Sequence, residues 1–394
     1  MAIILFDDNA HKTLLPLTYT RPVADLRIGI LTIAEKWAKY LNTDYSFYTQ
    51  AYLQAKFPVN YTADNIFING SVCPDEQLIA VIDQLENGDA LKQGELLIAV
   101  KGCKSHEFHA DTKPDRVIAY IHPIIAIKHP EDIFKNNDVE LRKDFKLLTQ
   151  GRTSATISNT NTIVGNDFFA EEGAVAECST FNTTQGPIYL AKDSEVWEGS
   201  NIRGPFGLGE HSQVKMGAKI YGATTIGPYS RVGGEISNVV IWGYSSKGHD
   251  GFLGNSVLGE WCNLGADTNT SNLKNNYADV KLWDYATGHF RNTGLLFCGL
   301  IMGDHSKSGI NTMFNTGTVV GVSANVFGGG YPNNFVADFA WGGAQEFGTY
   351  SLQKMFETAE KVYIRRDRVF DQSEKDILKK VFELTDEYRG LFGS

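Results

Sequence analysis

The sequence predicts an α/β domain over residues 1–150, a parallel β-helix over residues 151–345 and a helical tail over residues 346–394. Three observations predict this. Apolar residues recur every six positions through the middle of the chain, the first 150 residues alternate short strands with helices, and the last fifty carry apolar residues at helical spacing. A helix repeats near 3.6 residues and a strand at 2, so neither explains a step of six. Hexapeptide repeats are a signature of the parallel β-helix.

In the first part, Ala2 to Phe6 reads as an apolar strand and Ile30 to Leu41 as a helix. Asn65 to Ile68, Glu95 to Val100 and Val117 to Ile121 read as strands, and Pro74 to Leu85 as a helix with Asp75 and Glu76 in its first turn. Acidic residues suit that end of the helix dipole. Glu131 to Leu148 is a polar helix leading into the repeats. The alternation suggests an open, mostly parallel sheet. The long segment Asp7 to Gly29, after the first strand, lies where such sheets bind ligands. Arg21 and Arg27 in it are candidates for binding a nucleotide or phosphate through bidentate hydrogen bonds, or for structural ion pairs.

The repeats run in four blocks. They are Ile157, Ile163, Phe169, Val175 and Phe181; Leu190 through Val232 in sixes; Val240, Ser246, Phe252, Leu258 and Leu264; and Leu296, Met302, Ser308, Phe314, Val320 and Val326. Three units make a coil of about 18 residues, and nine or so coils make a prism roughly 45 Å long. A sandwich of ordinary strands does not hold such a step over so many units. The step is lost from Asp267 to about Leu295, an insertion expected on a functional face and expected to reach toward a neighbouring chain. Beyond Gly328-Gly329-Gly330, Leu352 to Val362 and Ile377 to Tyr388 form two amphipathic helices, the second capped by Ser373. They are expected to cover an end coil or to meet another chain.

A net charge of −10 argues against nucleic acid or an anionic membrane as partner. No apolar run spans a bilayer, and the first residues lack a signal peptide's basic lead, so a cytoplasmic protein is expected. Cys73, Cys103, Cys178, Cys262 and Cys298 are scattered and read as reduced thiols, with no metal site.

Leu17-Thr18-Tyr19-Thr20-Arg21-Pro22 and Gly29-Ile30-Leu31-Thr32-Ile33 resemble the opening of sugar-nucleotide pyrophosphorylases. The family's glycine-rich phosphate loop is replaced by Asp7 to Lys12. Val23 stands at its lysine, and Lys101 and Gly102 follow the strand that would end in its Mg²⁺ aspartate. A truncated, nucleotidyltransferase-like sheet is implied, with Mg²⁺ required only if that domain is active.

Lys247-Gly248-His249-Asp250-Gly251-Phe252-Leu253-Gly254, then Asn263-Leu264-Gly265-Ala266, then the Asn-rich insertion, resemble the acetyltransferase half of the GlmU family. That family joins a pyrophosphorylase domain to a left-handed β-helix. The resemblance implies His249 as catalytic base and Lys247, Asn263, Asn272 and Lys274 as substrate-binding residues. It implies Ala266 as the residue meeting acetyl-CoA, the acyl donor. Phe252 stands at a substrate-binding tyrosine and Asp267 at a glycine; Lys219 and Arg231 are candidates for the sugar phosphate by neighbourhood. The implied activity is acyl transfer to a sugar phosphate or nucleotide sugar, in a homotrimer of the UDP-N-acetylglucosamine biosynthesis type. A bifunctional nucleotidyltransferase/acetyltransferase and a non-catalytic sugar-nucleotide scaffold are the alternatives.

Overall fold

The computed structural model describes residues 2–102 and 114–390. Cys103 lies outside them, and the other four cysteines are free thiols. The chain forms two compact units. One comprises Met1–Leu14, Thr20–Leu26 and Leu31–His129; the other comprises Leu15–Tyr19, Arg27–Ile30 and Pro130–Ser394.

The first unit holds a six-stranded sheet in the order Tyr45–Tyr48, Ala2–Phe6, Asn65–Asn69, Leu96–Lys101, Asp89–Gln93 and Arg116–Ala119. The apolar Ala2–Phe6 strand lies one in from the edge and is parallel to both neighbours. Leu96–Lys101 runs antiparallel to Asn65–Asn69, so the sheet is mixed on that side. The cause is local: Gly94 and Glu95 are all that separate it from Asp89–Gln93, too few residues for a crossover, and the two strands form a hairpin. The first long helix begins at Ile33 rather than Ile30, because Thr32 and Glu35 form a capping box. Asp75 caps Glu76–Ile82 through the Leu78 N–H at 2.8 Å.

The second unit is a β-helix of stacked parallel strands, pairing coil on coil. From Leu190 to Val232 every sixth residue is buried in the core, as the spacing predicts. Phe181, Leu258, Leu264, Met302, Phe314, Val320 and Val326 keep that phase as well, while two positions of the first block differ from it by one. Ala170 and Ala176 point inward, not Phe169 and Val175, and Ile163 and Leu296 are exposed. After Val232 the register partner in the next coil is Lys247, so that coil is three residues short of 18. Two of its faces fuse into the nine-residue strand Glu235–Gly243, whose mid-strand Asn238 keeps the left-handed φ of a corner. Ile241, Lys247 and Leu253 therefore take the positions that the uniform step assigns to Val240, Ser246 and Phe252.

Val240 and Val257 face outward yet are fully buried. The Pro130–Thr149 helix lies against their strands, Glu235–Gly243 and Phe252–Glu260. This explains its polar sequence. Asn137 and Asp144 are buried and bind backbone, and the buried Glu140 pairs with Lys143 at 3.0 Å. Asn137 Oδ1 accepts from Gly29 N–H at 2.7 Å and its Nδ2 donates to the Ala223 carbonyl at 2.9 Å. Asp144 Oδ2 accepts from Ile30 N–H at 2.7 Å, and the Thr225 hydroxyl donates to the Gly29 carbonyl at 2.8 Å. Gly29 sits at φ +72°, and a Cβ there would lie 2.4 Å from Asp144 Oδ2.

The segment of the insertion around Tyr277 is exposed, whereas its hairpin packs inward. The hairpin, Lys281–Asp284 with His289–Asn292, folds back on its own coils. Trp283 stacks on Phe335 at 4.4 Å, and the Tyr285 hydroxyl donates to Asp338 at 2.8 Å. The tail helices Leu352–Ile364, Gln372–Leu384 and Asp386–Gly390 cover the end of the β-helix. Phe382 meets Phe339 edge-on at 5.0 Å, and Tyr363 stacks on Trp261 at 3.8 Å. The second helix is capped by Asp371 rather than Ser373, whose hydroxyl instead donates to Asp371. Among the described residues no helix is long and apolar enough to cross a membrane.

Candidate functional site

The corner after Lys247 builds the site. Gly233, Gly234 and Gly248 line a pocket of about 340 Å³ together with Lys215, Met216, His249, Asp250, Ala266 and Asp267. The glycines keep the corner shallow, so backbone forms much of its wall. His249 is exposed, and its imidazole makes no hydrogen bond with a described residue. The ring is thus available to a ligand. Asp267 adopts φ +54°. Aspartate is among the few non-glycine residues that tolerate this region, so it fills a glycine position of the resembled family without disrupting the corner.

Lys247 occupies an inward position of the β-helix and is 2% exposed. Its Nζ donates to the His249 carbonyl at 2.6 Å. Burial pushes its pKa down to about 8, against the pull of Asp250 and Asp267. It sits beneath the His249 corner and holds it.

The structure brings His249 and Ala266 into one pocket. It does not bring Asn263, Asn272 or Lys274 there. Asn263 is exposed on the neighbouring face, beside Ser246 and Lys307. Asn272 Nδ2 donates to Asn255 Oδ1 at 2.8 Å, and Lys274 Nζ donates to the Asp279 carbonyl at 2.8 Å. Phe252 lies on an outer strand position, paired in register with Glu235. Sequence reasoning missed Lys215 and Met216; coil arithmetic finds them, since Gly233 lies one 18-residue coil beyond Lys215. Lys215 is held 3.5 Å over the Trp197 ring and donates to Gln213 Oε1 at 2.8 Å.

In the first unit, Arg21 is 5% exposed and pairs with Asp25 at 3.1 Å. Arg27, in the second unit, donates to the Trp242 carbonyl at 3.2 Å. Asp7 stands where the strand Ala2–Phe6 ends. It accepts from the Val23 N–H at 2.8 Å and from the Thr49 hydroxyl, and burial raises its pKa to about 7. Lys101 Nζ donates to the Leu85 carbonyl at 2.8 Å. A carboxylate already engaged twice and an ammonium group at the family's metal-aspartate position do not fit a bound Mg²⁺.

Another surface pocket, of about 460 Å³, lies elsewhere on the β-helix and is lined by Asn182, Asn201, Arg203, Lys219 and Tyr221. Lys219 Nζ is 3.7 Å from Glu235. This places Lys219 on a different face from His249.

Residues 3–153 match the family model described as sugar nucleotidyl transferase. No curated protein matches the chain. Among solved structures it is similar to UDP-N-acetylglucosamine acyltransferase from Campylobacter jejuni, with 18% identity over 60% of this chain and 84% of that one and a TM-score of 0.27. The N-terminal part of the chain thus carries a sugar nucleotidyltransferase-like domain, and a parallel β-solenoid with a helical C-terminal region follows it.

Proposed function

We propose that this protein is a sugar-nucleotide-pathway transferase that moves an acyl group from acyl-CoA to a sugar phosphate or nucleotide sugar at the His249 corner. The observation that carries the reading is the exposed, unengaged His249 sharing a glycine-walled pocket with Ala266. Histidine is the natural base near neutral pH. His249 takes the proton from the acceptor's amine or hydroxyl as that atom bonds to the thioester carbon. It returns the proton to the departing thiolate, so the step is balanced. Acetyl-CoA supplies the activated acyl group, and the shallow groove beside Gly248 and Ala266 is where its backbone contacts would form.

Asn263, Asn272 and Lys274 remain the proposed acceptor contacts. Their distance from the pocket within one protomer supports a site shared between adjacent copies in a homotrimer. Light scattering that returns 43.6 kDa at micromolar concentration would remove that arrangement.

The reading is tested by steady-state kinetics with acetyl-CoA and a panel of sugar phosphates and nucleotide sugars. His249→Ala should lower turnover about 10²–10⁴-fold, the usual worth of a general base, with no loss of melting temperature. Wild-type kcat/KM in that variant sinks the assignment and favours a binding scaffold.

A further inference from the structure

The last coils of the β-helix end in exposed aromatic rings that no step at the His249 corner uses. In register, Asn263 is followed coil by coil by Lys307, Asn325 and Trp341. Trp341 belongs to a closing hairpin, Ala340–Gly342 with Phe347–Thr349, whose turn runs from Gly343 to Glu346. Phe327 lies two residues beyond Asn325, and its N–H donates to the Gly342 carbonyl at 2.7 Å. Phe327 is 40% exposed and Trp341 45%, whereas Trp37, Trp242, Trp261 and Trp283 are buried. The Phe327 and Trp341 rings meet at 5.2 Å with their planes 69° apart, and Tyr350 backs the indole at 4.8 Å.

Phe327 and the hairpin turn enclose a slot of about 240 Å³. Its walls are backbone, with Gly328 and Gly329 on the Phe327 loop and Gly342 and Gly343 on the hairpin. A Cβ at Gly343 would lie 2.0 Å from the Phe327 carbonyl oxygen, so close packing of the two segments requires glycine there. Among the described residues, the N–H groups of Gly328 and Gly329 and the side chains of Gln345 and Glu346 make no hydrogen bond or ion pair. The slot therefore brings together an aromatic wall, uncommitted N–H donors and an uncommitted carboxylate.

That combination selects a ligand. Aromatic groups prefer offset stacking or edge-on contact, and a flat ring makes one with each wall of a corner like this. A puckered sugar ring has no flat face to stack. A carboxylate accepts two hydrogen bonds side by side. Guanine presents two adjacent N–H donors on one edge, next to a carbonyl oxygen that suits the glycine N–H groups. Adenine offers an amino group beside a ring nitrogen whose lone pair a carboxylate repels. We infer that the Phe327–Trp341 corner and the slot beside it bind the base of a guanine nucleotide. The inference stands apart from acyl transfer, since none of these residues lines the His249 pocket.

Titration calorimetry and tryptophan fluorescence of the full chain test it, with GMP, AMP, UMP and coenzyme A as probes. A base stacked on the exposed Trp341 quenches its emission. GMP should bind and quench, and the other three should bind about tenfold more weakly or less. Trp341→Leu should weaken GMP binding in calorimetry about tenfold or more, the scale of one lost base–aromatic stack. Glu346→Gln should weaken GMP binding about tenfold and leave AMP unchanged, because only guanine uses the paired acceptors. Glu346 is exposed, so its variant should keep the wild-type melting temperature. No binding of GMP, equal binding of GMP and AMP, or full GMP affinity in Glu346→Gln overturns the inference. Tighter binding of coenzyme A than of GMP also overturns it and gives the corner to the acyl donor. Emission that changes with protein concentration in the absence of nucleotide gives the corner to a second copy of the chain, and overturns it as well.

Discussion

Replacing Lys247 by methionine should stabilise the protein at pH 7. The side chain points into the β-helix and is 2% exposed, and its pKa falls from 10.5 to about 8 through burial. A group whose folded pKa is depressed below the unfolded value binds fewer protons when folded, so a lysine of this kind costs stability at neutral pH. That cost is relieved as pH rises through 8 toward 10.5. At about 1.36 kcal/mol per pKa unit, the cost at pH 7 is about 3 kcal/mol. Methionine has similar length and no charge, but loses the 2.6 Å bond to the His249 carbonyl, worth about 1 kcal/mol where water can replace it. The net gain at pH 7 is then roughly 2 kcal/mol, closing by about pH 10 as the wild-type lysine loses its proton. Urea unfolding followed by far-ultraviolet circular dichroism at pH 7, 8.5 and 10 measures this. Lys307 shares the depressed pKa in both proteins and cancels in the difference. A variant less stable than wild type at pH 7, or an advantage that does not change with pH, refutes the reasoning. Acyl transfer should fall in the variant although stability rises, because the His249 corner loses its tether.

Three further outcomes are expected. Gly29→Ala should cost roughly 2–3 kcal/mol in thermal or urea unfolding, since its Cβ meets Asp144 Oδ2 at 2.4 Å and its φ is +72°; a neutral substitution would mean the Asn137–Asp144 anchor yields easily. Asp338, buried with its pKa raised to about 6, loses stability as pH rises from 4 through 6. Asp338→Asn can still accept from Val322 N–H and donate to Tyr285, so it should gain on wild type over that window by up to about 3 kcal/mol; melting curves that track each other from pH 4 to 8 would show the carboxyl is not penalised. Nucleoside triphosphate and sugar 1-phosphate with Mg²⁺ should release little pyrophosphate, given the engaged Asp7 and the Lys101 ammonium; robust release that disappears in Arg21→Ala would show that the first unit works through other charges.

The six-residue step determined the β-helix because each face of a coil needs an apolar residue at the same inward point, and Leu190 to Val232 repeat that requirement without interruption. The Asp7 to Lys12 departure, Lys101 and the His249 motif were equally legible, since each depends on residue type at a given position. The tertiary structure decided what a constant step cannot carry. A coil three residues short moved Lys247 from a proposed surface contact to the interior. The polar Asn137 and Asp144 became a buried anchor because loop backbone needed partners. The hairpin of the insertion turned inward because Trp283 and Tyr285 found Phe335 and Asp338 on their own coils. A repeat is a local constraint, readable residue by residue. A short coil changes the phase of everything after it, and contacts across more than a hundred residues exist only once the chain has closed on itself.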